Sequence, residues 1–255
     1  MQRIIAVINQ KGGVGKTTTA INLGAYLAKA GKEVLLVDMD PQGNASSGLG
    51  LDKKSLDSTM YDVLFTASNI QSAILETNIS GLSILPANAN LAAAEIDLAS
   101  EDRREFKLKE ALSKTTHDYV LIDCPPALGL LTINALTAAD EVLIPVQAEY
   151  YAMEGLGQLL DIIQRVRSGL NPKLEILGVV VTMYDNRTTL AGQVSDELKK
   201  HFGDKVLNSV IPRNVRLAEA PSFGRPISEH DKWSKGARAY KQLAKEIDKI
   251  EAGRH

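Results

Sequence analysis

The sequence predicts an α/β fold, a doubly wound and mostly parallel sheet with helices on both faces. Short apolar runs alternate with amphipathic stretches along the chain, which is the pattern of successive βα units. The runs at 34–37 and 179–181 are continuously apolar, as expected of central strands that are covered on both sides. No internal repeat, low-complexity segment or linker interrupts the 255 residues, so we expect a single domain over 1–255.

The predicted elements follow one another in a regular order. Strands are predicted at 4–9, 34–37, 82–85, 119–122, 141–146 and 176–182. Helices are predicted at 17–30, where Gly31 closes the helix, and at 91–99, 103–113, 132–138, 154–167, 190–202 and 235–250. In an open parallel sheet, ligands bind beyond the carboxyl ends of the strands. We therefore expect the chemistry to lie just after residues 9, 37, 122 and 182.

Composition excludes several classes of protein. Hydrophobic residues make up 44% and charged residues 24%, which excludes a disordered or collagen-like chain. The one cysteine, Cys124, excludes an internal disulfide and a four-cysteine metal site within one chain, and it is expected to be a small buried thiol. No apolar run reaches the roughly 18–20 residues of a membrane span, and the N-terminus lacks signal-peptide features. A reduced, intracellular compartment fits these observations.

Charge is distributed unevenly along the chain. Residues 1–181 carry 15 Lys and Arg against 21 Asp and Glu, whereas residues 182–255 carry 14 against 10. The net charges of the two parts are thus −6 and +4. A basic C-terminal quarter indicates a surface for a polyanion. Chance asymmetry on a solvated surface is the alternative.

A glycine-rich loop directly follows the first predicted strand, with the sequence Gln10-Lys11-Gly12-Gly13-Val14-Gly15-Lys16-Thr17-Thr18. Glycines let successive backbone N–H groups point inward, and the following helix directs its positive end at the same space. Lys16 is placed to reach the β- and γ-phosphates of a nucleotide, and the Thr17 hydroxyl is placed to ligate Mg²⁺ directly. The first glycine of the usual phosphate-binding loop is replaced by Gln10, and Lys11 is an additional lysine. A glycine-rich turn with a fortuitous lysine is the alternative.

Carboxylates end two further strands. Asp38 and Asp40 lie two residues apart after the second strand, and Pro41 and Gly43 turn the chain into a loop. Near a triphosphate, such carboxylates hold the waters of Mg²⁺ or orient the attacking water. The strand at 119–122 ends in Asp123, which predicts a carboxylate that acts on Mg²⁺ through water. An acidic turn after a strand is the alternative for Asp38 and Asp40.

The string Lys-Gly-Gly-Val-Gly-Lys-Thr-Thr at 11–18 resembles the deviant Walker A ATPases, the group that contains ParA/Soj, MinD and nitrogenase iron protein. In that family the early lysine, here Lys11, reaches the nucleotide of a partner subunit, which implies an ATP-dependent homodimer. The resemblance also implies that Asp40 positions or activates the hydrolytic water and that Asp38 supports Mg²⁺ through water. Catalytic roles are therefore expected for Asp40, Lys11 and Lys16. ATP is expected to contact the loop residues Lys11, Gly12, Gly13, Val14, Gly15, Lys16, Thr17 and Thr18.

The C-terminal part of the chain resembles the Soj-type partitioning branch of that family. Pro212 and Asn214 match positions that flank the adenine, although an ordinary Pro-Arg-Asn turn is the alternative. Arg187 and Arg216 match positions that contribute to DNA binding, and Arg213 extends the same edge. Lys199 and Lys200 are further candidates there. No recognition helix stands out, so contact with phosphates, without sequence preference, is expected. Ordinary solvated cations are the alternative.

The C-terminal helix separates the branches of the family. Its apolar stripe contains Ala237, Tyr240, Leu243, Ala244, Ile247 and Ile250. The stripe lacks Phe and Trp, and its flanks mix lysines with acidic residues, which favours docking on the domain's own core over a lipid surface. One cysteine disfavours the iron–sulfur branch, which needs two per subunit. A MinD-like membrane-cycling ATPase and a metabolic nucleotide enzyme with a small-molecule acceptor remain alternatives.

The resemblance implies a chromosome- or plasmid-partitioning ATPase. ATP and Mg²⁺ would bind at the loop, and the ATP-bound homodimer would bind double-stranded DNA without sequence preference. A ParB-type centromere-binding protein would stimulate hydrolysis and release the dimer from DNA. The expected location is the cytoplasm, in association with the nucleoid and without stable membrane association.

Overall fold

The computed structural model of the chain describes residues 2–65, 70–149 and 155–252. Its strands are β1 (Arg3–Val7), β2 (Val34–Asp38), β3 (Leu75–Glu76), β4 (Leu82–Leu85), β5 (Tyr119–Asp123), β6 (Glu141–Gln147), β7 (Glu175–Tyr184) and β8 (Val206–Pro212). They form one eight-stranded sheet in the order β3-β4-β2-β5-β1-β6-β7-β8. The β3–β4 pair is antiparallel and the other pairs are parallel. The predicted mostly parallel sheet is confirmed.

Twelve α-helices are found among the described residues. They are α1 (Lys16–Lys29), α2 (Asn44–Gly48), α3 (Met60–Phe65), α4 (Ile70–Ala73), α5 (Ala94–Asp97), α6 (Lys107–Leu112), α7 (Leu130–Ala138), α8 (Leu156–Gly169), α9 (Thr189–Phe202), α10 (Val215–Glu219), α11 (Ile227–His230) and α12 (Lys235–Ala252). Short 3₁₀ turns lie at Ala89–Ala93, Leu98–Ser100, Arg104–Phe106, Gly203–Lys205 and Ala220–Phe223. The predicted start of α8 at Glu154 lies outside the described residues.

The helices cover both faces of the sheet, as the sequence predicts. Helices α3–α9 contribute buried residues to the core on one face. The other face packs against α1, α2 and α10–α12. Strands β2 and β5 are buried at every position, which explains why their sequences are continuously apolar up to the terminal aspartates.

Two predicted helices are wrong in part. The segment predicted as a helix over 91–99 is a 3₁₀ turn, the single turn of α5 and a second 3₁₀ turn. The helix predicted from residue 103 starts later, because Arg103 has a left-handed φ of 51° that no right-handed helix accommodates. The sequence analysis also missed β8, an edge strand whose buried residues alternate with exposed ones instead of forming a continuous apolar run.

The last helix, α12, docks on the protein's own core. Ala237, Tyr240, Leu243 and Ile247 are buried, and the Tyr240 hydroxyl lies 3.1 Å from the Thr19 hydroxyl on α1. This packing confirms the prediction that the apolar stripe of the last helix packs on the core of the protein itself. Among residues 2–65, 70–149 and 155–252, no helix combines the length and the apolar character needed to cross a bilayer.

Candidate nucleotide site

The glycine-rich loop between β1 and α1 is fixed to the sheet by side-chain hydrogen bonds. Asn9 accepts a bond from the Lys11 N–H at 3.0 Å and donates one to the Pro145 carbonyl at 2.8 Å. The Thr182 hydroxyl donates to the Val14 carbonyl at 2.8 Å. These bonds tie the loop to β6 and β7, so its backbone is held in shape by the two strands next to β1 on that side.

Two of the loop glycines are required by the backbone. Gly13 and Gly15 have φ values of 74° and 89°, in the left-handed region that other residues rarely adopt. Gly15 also precedes the first residue of α1. Gly12 is different, because its φ is not left-handed and an added Cβ would meet no atom within 4 Å. The fold of one subunit therefore explains Gly13 and Gly15 but not Gly12.

The N-terminus of α1 is prepared for an anion. Its first turn contains no acidic residue, and no side chain caps its N–H groups. Lys16, the first residue of the helix, is 7% exposed, and its Nζ donates to the Lys11 carbonyl at 3.2 Å. Burial lowers the pKa of Lys16, and the charges of Asp123 and Asp40 oppose that shift. The ammonium group is thus held between the loop and the carboxylates.

Asp38 is held by the segment that follows it. Its Oδ2 accepts bonds from the N–H of Ser46 at 2.9 Å and from the Ser46 hydroxyl at 2.7 Å, and its Oδ1 accepts one from the Asp40 N–H at 3.2 Å. Burial raises the pKa of Asp38 to about 6, although these hydrogen bonds act against the rise. One oxygen of Asp38 therefore orients α2 through Ser46, the other holds the backbone at Asp40, and the sequence analysis missed Ser46.

Asp123 lies beside Asp38, because these two residues are partners in the parallel β2–β5 pairing. Its carboxylate is fully buried, and neither oxygen has a hydrogen-bond partner among the described residues. Burial raises the pKa of Asp123 well above its usual range, and the charges of Asp38 and Asp40 add to the rise. The Thr17 hydroxyl and the Lys16 ammonium act in the opposite direction. A buried carboxylate that only the Thr17 hydroxyl and the Lys16 ammonium counterbalance is a group that a cation would stabilise.

A cavity of about 760 Å³ opens in front of the loop, a volume typical of small-molecule sites. The predicted residues that line it are Gly12, Gly13, Gly15, Lys16, Thr17, Thr18 and Asp40. Asp40 is 8% exposed, and its Oδ1 accepts a bond from the Gln42 N–H at 2.9 Å. The loop residues and Asp40 therefore line one cavity at the carboxyl ends of the strands, where the sequence analysis predicts the ligand site.

Several predicted residues do not line this cavity: Lys11, Val14, Asp38, Asp123, Pro212 and Asn214. Val14 is buried, and Asn214 caps α10 by accepting a bond from the Leu217 N–H at 3.2 Å. The adenine assignment for Pro212 and Asn214 stays a prediction. Cavity walls that the sequence analysis missed include Met183, Pro221 and Arg225. For Met183, the signal that could have found it was the change from apolar to polar residues at the end of β7, since ligands bind beyond strand ends.

The predicted DNA-binding arginines are exposed, and each is paired with a carboxylate. Arg187 forms two bonds with Asp185, at 2.6 and 2.9 Å, which hold the pKa of that carboxyl well below its usual range. Arg213 lies 3.2 Å from Glu149, whose other oxygen is 4.0 Å from Lys11 Nζ. Arg216 pairs with Glu219 at 2.9 Å and lies 3.7 Å from Asp231. An anion that binds at any of these arginines would therefore have to compete with a carboxylate, and the DNA-binding assignment stays a prediction.

The chain is similar to known proteins over nearly its whole length. A family model described as an AAA domain matches residues 2–176. The sporulation initiation inhibitor protein Soj of Bacillus subtilis is 56% identical over 97% of this chain and 98% of its own. The chromosome partitioning protein ParA of Caulobacter vibrioides is 52% identical over 96% of this chain and 93% of its own. The crystal structure of cobyrinic acid a,c-diamide synthase from Mycobacterium smegmatis, with a bound ATP analogue and magnesium, is 40% identical, with a TM-score of 0.89 and coverage of 100% and 98%.

Replacing Asp123 with asparagine should stabilise the protein in the absence of nucleotide and metal. Because the pKa values of Asp38 and Asp123 are raised, these carboxyls stay protonated in the folded protein at pH values at which they have lost their protons in the unfolded chain. Wild-type stability should therefore fall as the pH rises from about 3.8 to about 6, the interval for Asp38. Asp123→Asn removes one buried charge without partners, so the free energy of unfolding at neutral pH should increase by about 1–3 kcal/mol.

Urea unfolding at several pH values measures this effect, with the exposed Asp57→Asn as the control variant. Asp57→Asn should leave both the stability and its pH dependence unchanged. A loss of stability in Asp123→Asn at neutral pH would contradict the description of Asp123 as a carboxylate that the fold leaves unsatisfied.

Proposed function

We propose a nucleotide-driven cycle for this chain, which belongs to the Soj/ParA family of chromosome-partitioning ATPases. The protein binds ATP and Mg²⁺, dimerises, and binds double-stranded DNA without sequence preference. A ParB-type centromere-binding protein stimulates hydrolysis, and the dimer then leaves the DNA. This cycle would place the protein on the nucleoid and separate copies of a chromosome or plasmid.

The observation that carries this proposal is the buried Asp123 carboxylate beside Lys16 and the open N-terminus of α1. Backbone N–H groups of 13–18 and the Lys16 ammonium would receive the phosphates. The unpartnered oxygens of Asp123 and the Thr17 hydroxyl fit a hydrated divalent cation, with Thr17 as the direct ligand and Asp123 acting through water. Asp38 would support the same waters, although its Oδ2 holds Ser46 and its Oδ1 accepts a bond from the Asp40 N–H. Mg²⁺ at this position would neutralise charge on the β- and γ-phosphates.

Asp40 is proposed to orient the attacking water. It lines the cavity, and its Oδ1 is fixed by the Gln42 N–H, so the carboxylate has a defined position at the end of the strand. Because the transition state gains charge on the transferred phosphoryl group and on the water, a fixed acceptor here acts mainly on the chemical step.

Replacing Asp40 with alanine should slow hydrolysis by about 100-fold or more while leaving ATP affinity within a few-fold of wild type, because general-base and positioning effects are of that order. Single-turnover hydrolysis and direct titration with labelled ATP measure the two quantities. The exposed Asp57→Asn serves again as the control. Turnover of Asp40→Ala at the wild-type rate would remove Asp40 from the catalytic role.

Dimerisation is proposed to bring the partner subunit against the loop at 11–13. Lys11 lies outside the cavity lining, and its side chain is 36% exposed and only 4.0 Å from Glu149, so a small movement would free it. The partner's loop would approach Gly12, where the subunit's own fold does not require a glycine.

Gly12→Val should still bind ATP but fail to form the ATP-dependent dimer, because the valine side chain would occupy the space of the partner. Within one chain a Cβ added at Gly12 meets no atom within 4 Å, and its φ is not left-handed, so we expect folding to be unaffected. Gly169→Val is the matched control, because a Cβ added at Gly169, the last residue of α8, also meets no atom within 4 Å. Size-exclusion chromatography with ATP, with ADP and without nucleotide is the measurement. A clear dimer peak for Gly12→Val with ATP would contradict this arrangement.

Arg187, Arg213 and Arg216 are proposed to contact DNA phosphates. All three are exposed, and each would exchange a carboxylate for a phosphate oxygen. Because phosphate contacts carry no sequence information, the same affinity is expected for unrelated duplexes.

Replacing Arg187 or Arg216 with alanine should reduce the slope of log K against log salt by about 2 per dimer, since symmetry repeats each contact. Arg103→Ala is the control, because Arg103 is also exposed and paired, with Glu110. Salt titrations on two unrelated duplexes measure the slopes. An unchanged slope would mean that these arginines do not contact DNA. A loss of affinity confined to one duplex would mean that the protein contacts bases and recognises sequence.

A further inference from the structure

Three large apolar side chains are exposed in the segment that includes α10 and α11. Val215 is 72% exposed, Phe223 64% and Trp233 79%. Trp233 is the only tryptophan of the chain. Scattered exposed apolar residues are normal on protein surfaces, but three of them within 19 residues of one compact segment mark a surface for a partner.

Side-chain contacts join Phe223 to Arg216, through His230 and Glu219. The Phe223 ring lies 4.8 Å from the His230 ring, and His230 Nε2 lies 3.7 Å from Glu219 Oε2. Glu219 pairs with Arg216, the neighbour of Val215.

The Nε atom of Arg216 also lies 3.7 Å from Oδ2 of Asp231. The Asp231 carboxylate in turn accepts a hydrogen bond from the backbone N–H of Trp233 at 3.1 Å, which fixes the main chain that carries the indole. We call Val215, Phe223 and Trp233 the aromatic surface, and Arg216 lies in the middle of the contacts that connect it.

The backbone under the aromatic surface is held rigidly. An added Cβ on Gly224 would lie 2.6 Å from the Gly50 Cα, so two backbone segments touch there without a side chain between them. The Ile227 N–H donates to Asn22 Oδ1 on α1 at 2.7 Å. Exposed aromatic side chains on a fixed backbone lose little conformational entropy when they bind.

Charge around the aromatic surface favours an anionic partner. Its carboxylates Glu219 and Asp231 are already engaged by Arg216. In contrast, three cations that follow Asp231 in the chain have no ion pair among the described residues: Lys232, Lys235 and Arg238. Lys232 instead lies 5.3 Å from the centre of the Trp233 ring. A partner that fits must offer negative charge together with flat, apolar faces.

We propose that the aromatic surface binds DNA, with Trp233 packed against the sugars and base edges beside the phosphate held by Arg216. This inference rests on the proposed DNA binding and adds a contact that does not depend on charge. Phosphate contacts set the salt dependence of the affinity. An indole contact should raise the affinity equally at all salt concentrations, because it releases no counterions.

The fluorescence of the single tryptophan tests the proposal directly. Wild-type protein with a non-hydrolysable ATP analogue and Mg²⁺ is titrated with a duplex, and emission is recorded beside an independent anisotropy measurement of binding. The emission of Trp233 should change with the same midpoint as the anisotropy. Trp233→Ala should bind about tenfold more weakly at every salt concentration, because the apolar area of the indole is no longer buried against the duplex, and the salt slope should be unchanged. Trp233→Phe should recover most of the affinity.

Two controls make the result specific. Ile96→Ala removes another exposed apolar side chain, 77% exposed, from a different part of the surface, and should leave DNA affinity unchanged. Arg216→Ala should change the salt slope, in contrast to Trp233→Ala. Chromatography of each variant with the ATP analogue verifies that dimerisation is intact.

Several outcomes would overturn the proposal. DNA binding with unchanged Trp233 emission and a wild-type affinity for Trp233→Ala would remove the aromatic surface from the interface while leaving the proposed function standing. Absence of DNA binding by the wild-type dimer would instead reject the proposed function. Loss of the dimer in Trp233→Ala would identify the occupant as a second copy of the chain. An emission change only with anionic lipid vesicles, or only with the ParB-type protein, would assign the surface to that partner.

Discussion

Parallel pairing of β2 with β5 places two buried carboxylates, Asp38 and Asp123, side by side at the end of the sheet. The arrangement is costly, because burial and mutual repulsion raise both pKa values. Around it the chain supplies compensating groups: Ser46 binds Asp38, and Lys16 brings a positive charge to Asp123. Asp123 keeps two unsatisfied oxygens. A fold that accepts this cost gains a site at which a cation has a large advantage over water, so metal and nucleotide binding also become a source of stability.

The sequence was sufficient for the central sheet and the phosphate-binding loop, since both depend on local patterns. Continuous apolar runs identify strands covered on both faces, and the glycine spacing identifies the loop; the relatives confirm the family resemblance. The failures have different causes. A left-handed residue at Arg103 cannot be read from composition, and edge strand β8 lacks a continuous apolar run. Ser46 binds Asp38 only because α2 folds back under β2, which is a tertiary contact without a local signature.

The exposed arginines illustrate how charge in a sequence differs from charge on a surface. Residues 182–255 carry a net charge of +4, yet Arg187, Arg213 and Arg216 are all paired with acidic residues. Such exposed pairs contribute little to stability. Their effect is on selectivity, because a weak anion must compete with a carboxylate already in place, whereas a dense row of phosphates replaces several carboxylates at once. Among the described residues of that part of the chain, cations without an ion pair include Lys232 beside the Trp233 ring and Lys241 and Lys245 on α12.

The contact between Gly50 and Gly224 joins two parts of the molecule that otherwise have separate tasks. On one side, Gly50 follows α2, whose Ser46 is bound to Asp38 in the nucleotide site. On the other side, Gly224 lies between Phe223 and the segment that leads to Trp233. Backbone touching backbone leaves no flexible side chain to absorb a displacement. At this point the segment after α2 and the segment beneath the aromatic surface therefore meet through backbone atoms alone, and a displacement of either one toward the other would meet a main chain instead of a side chain that can rotate away.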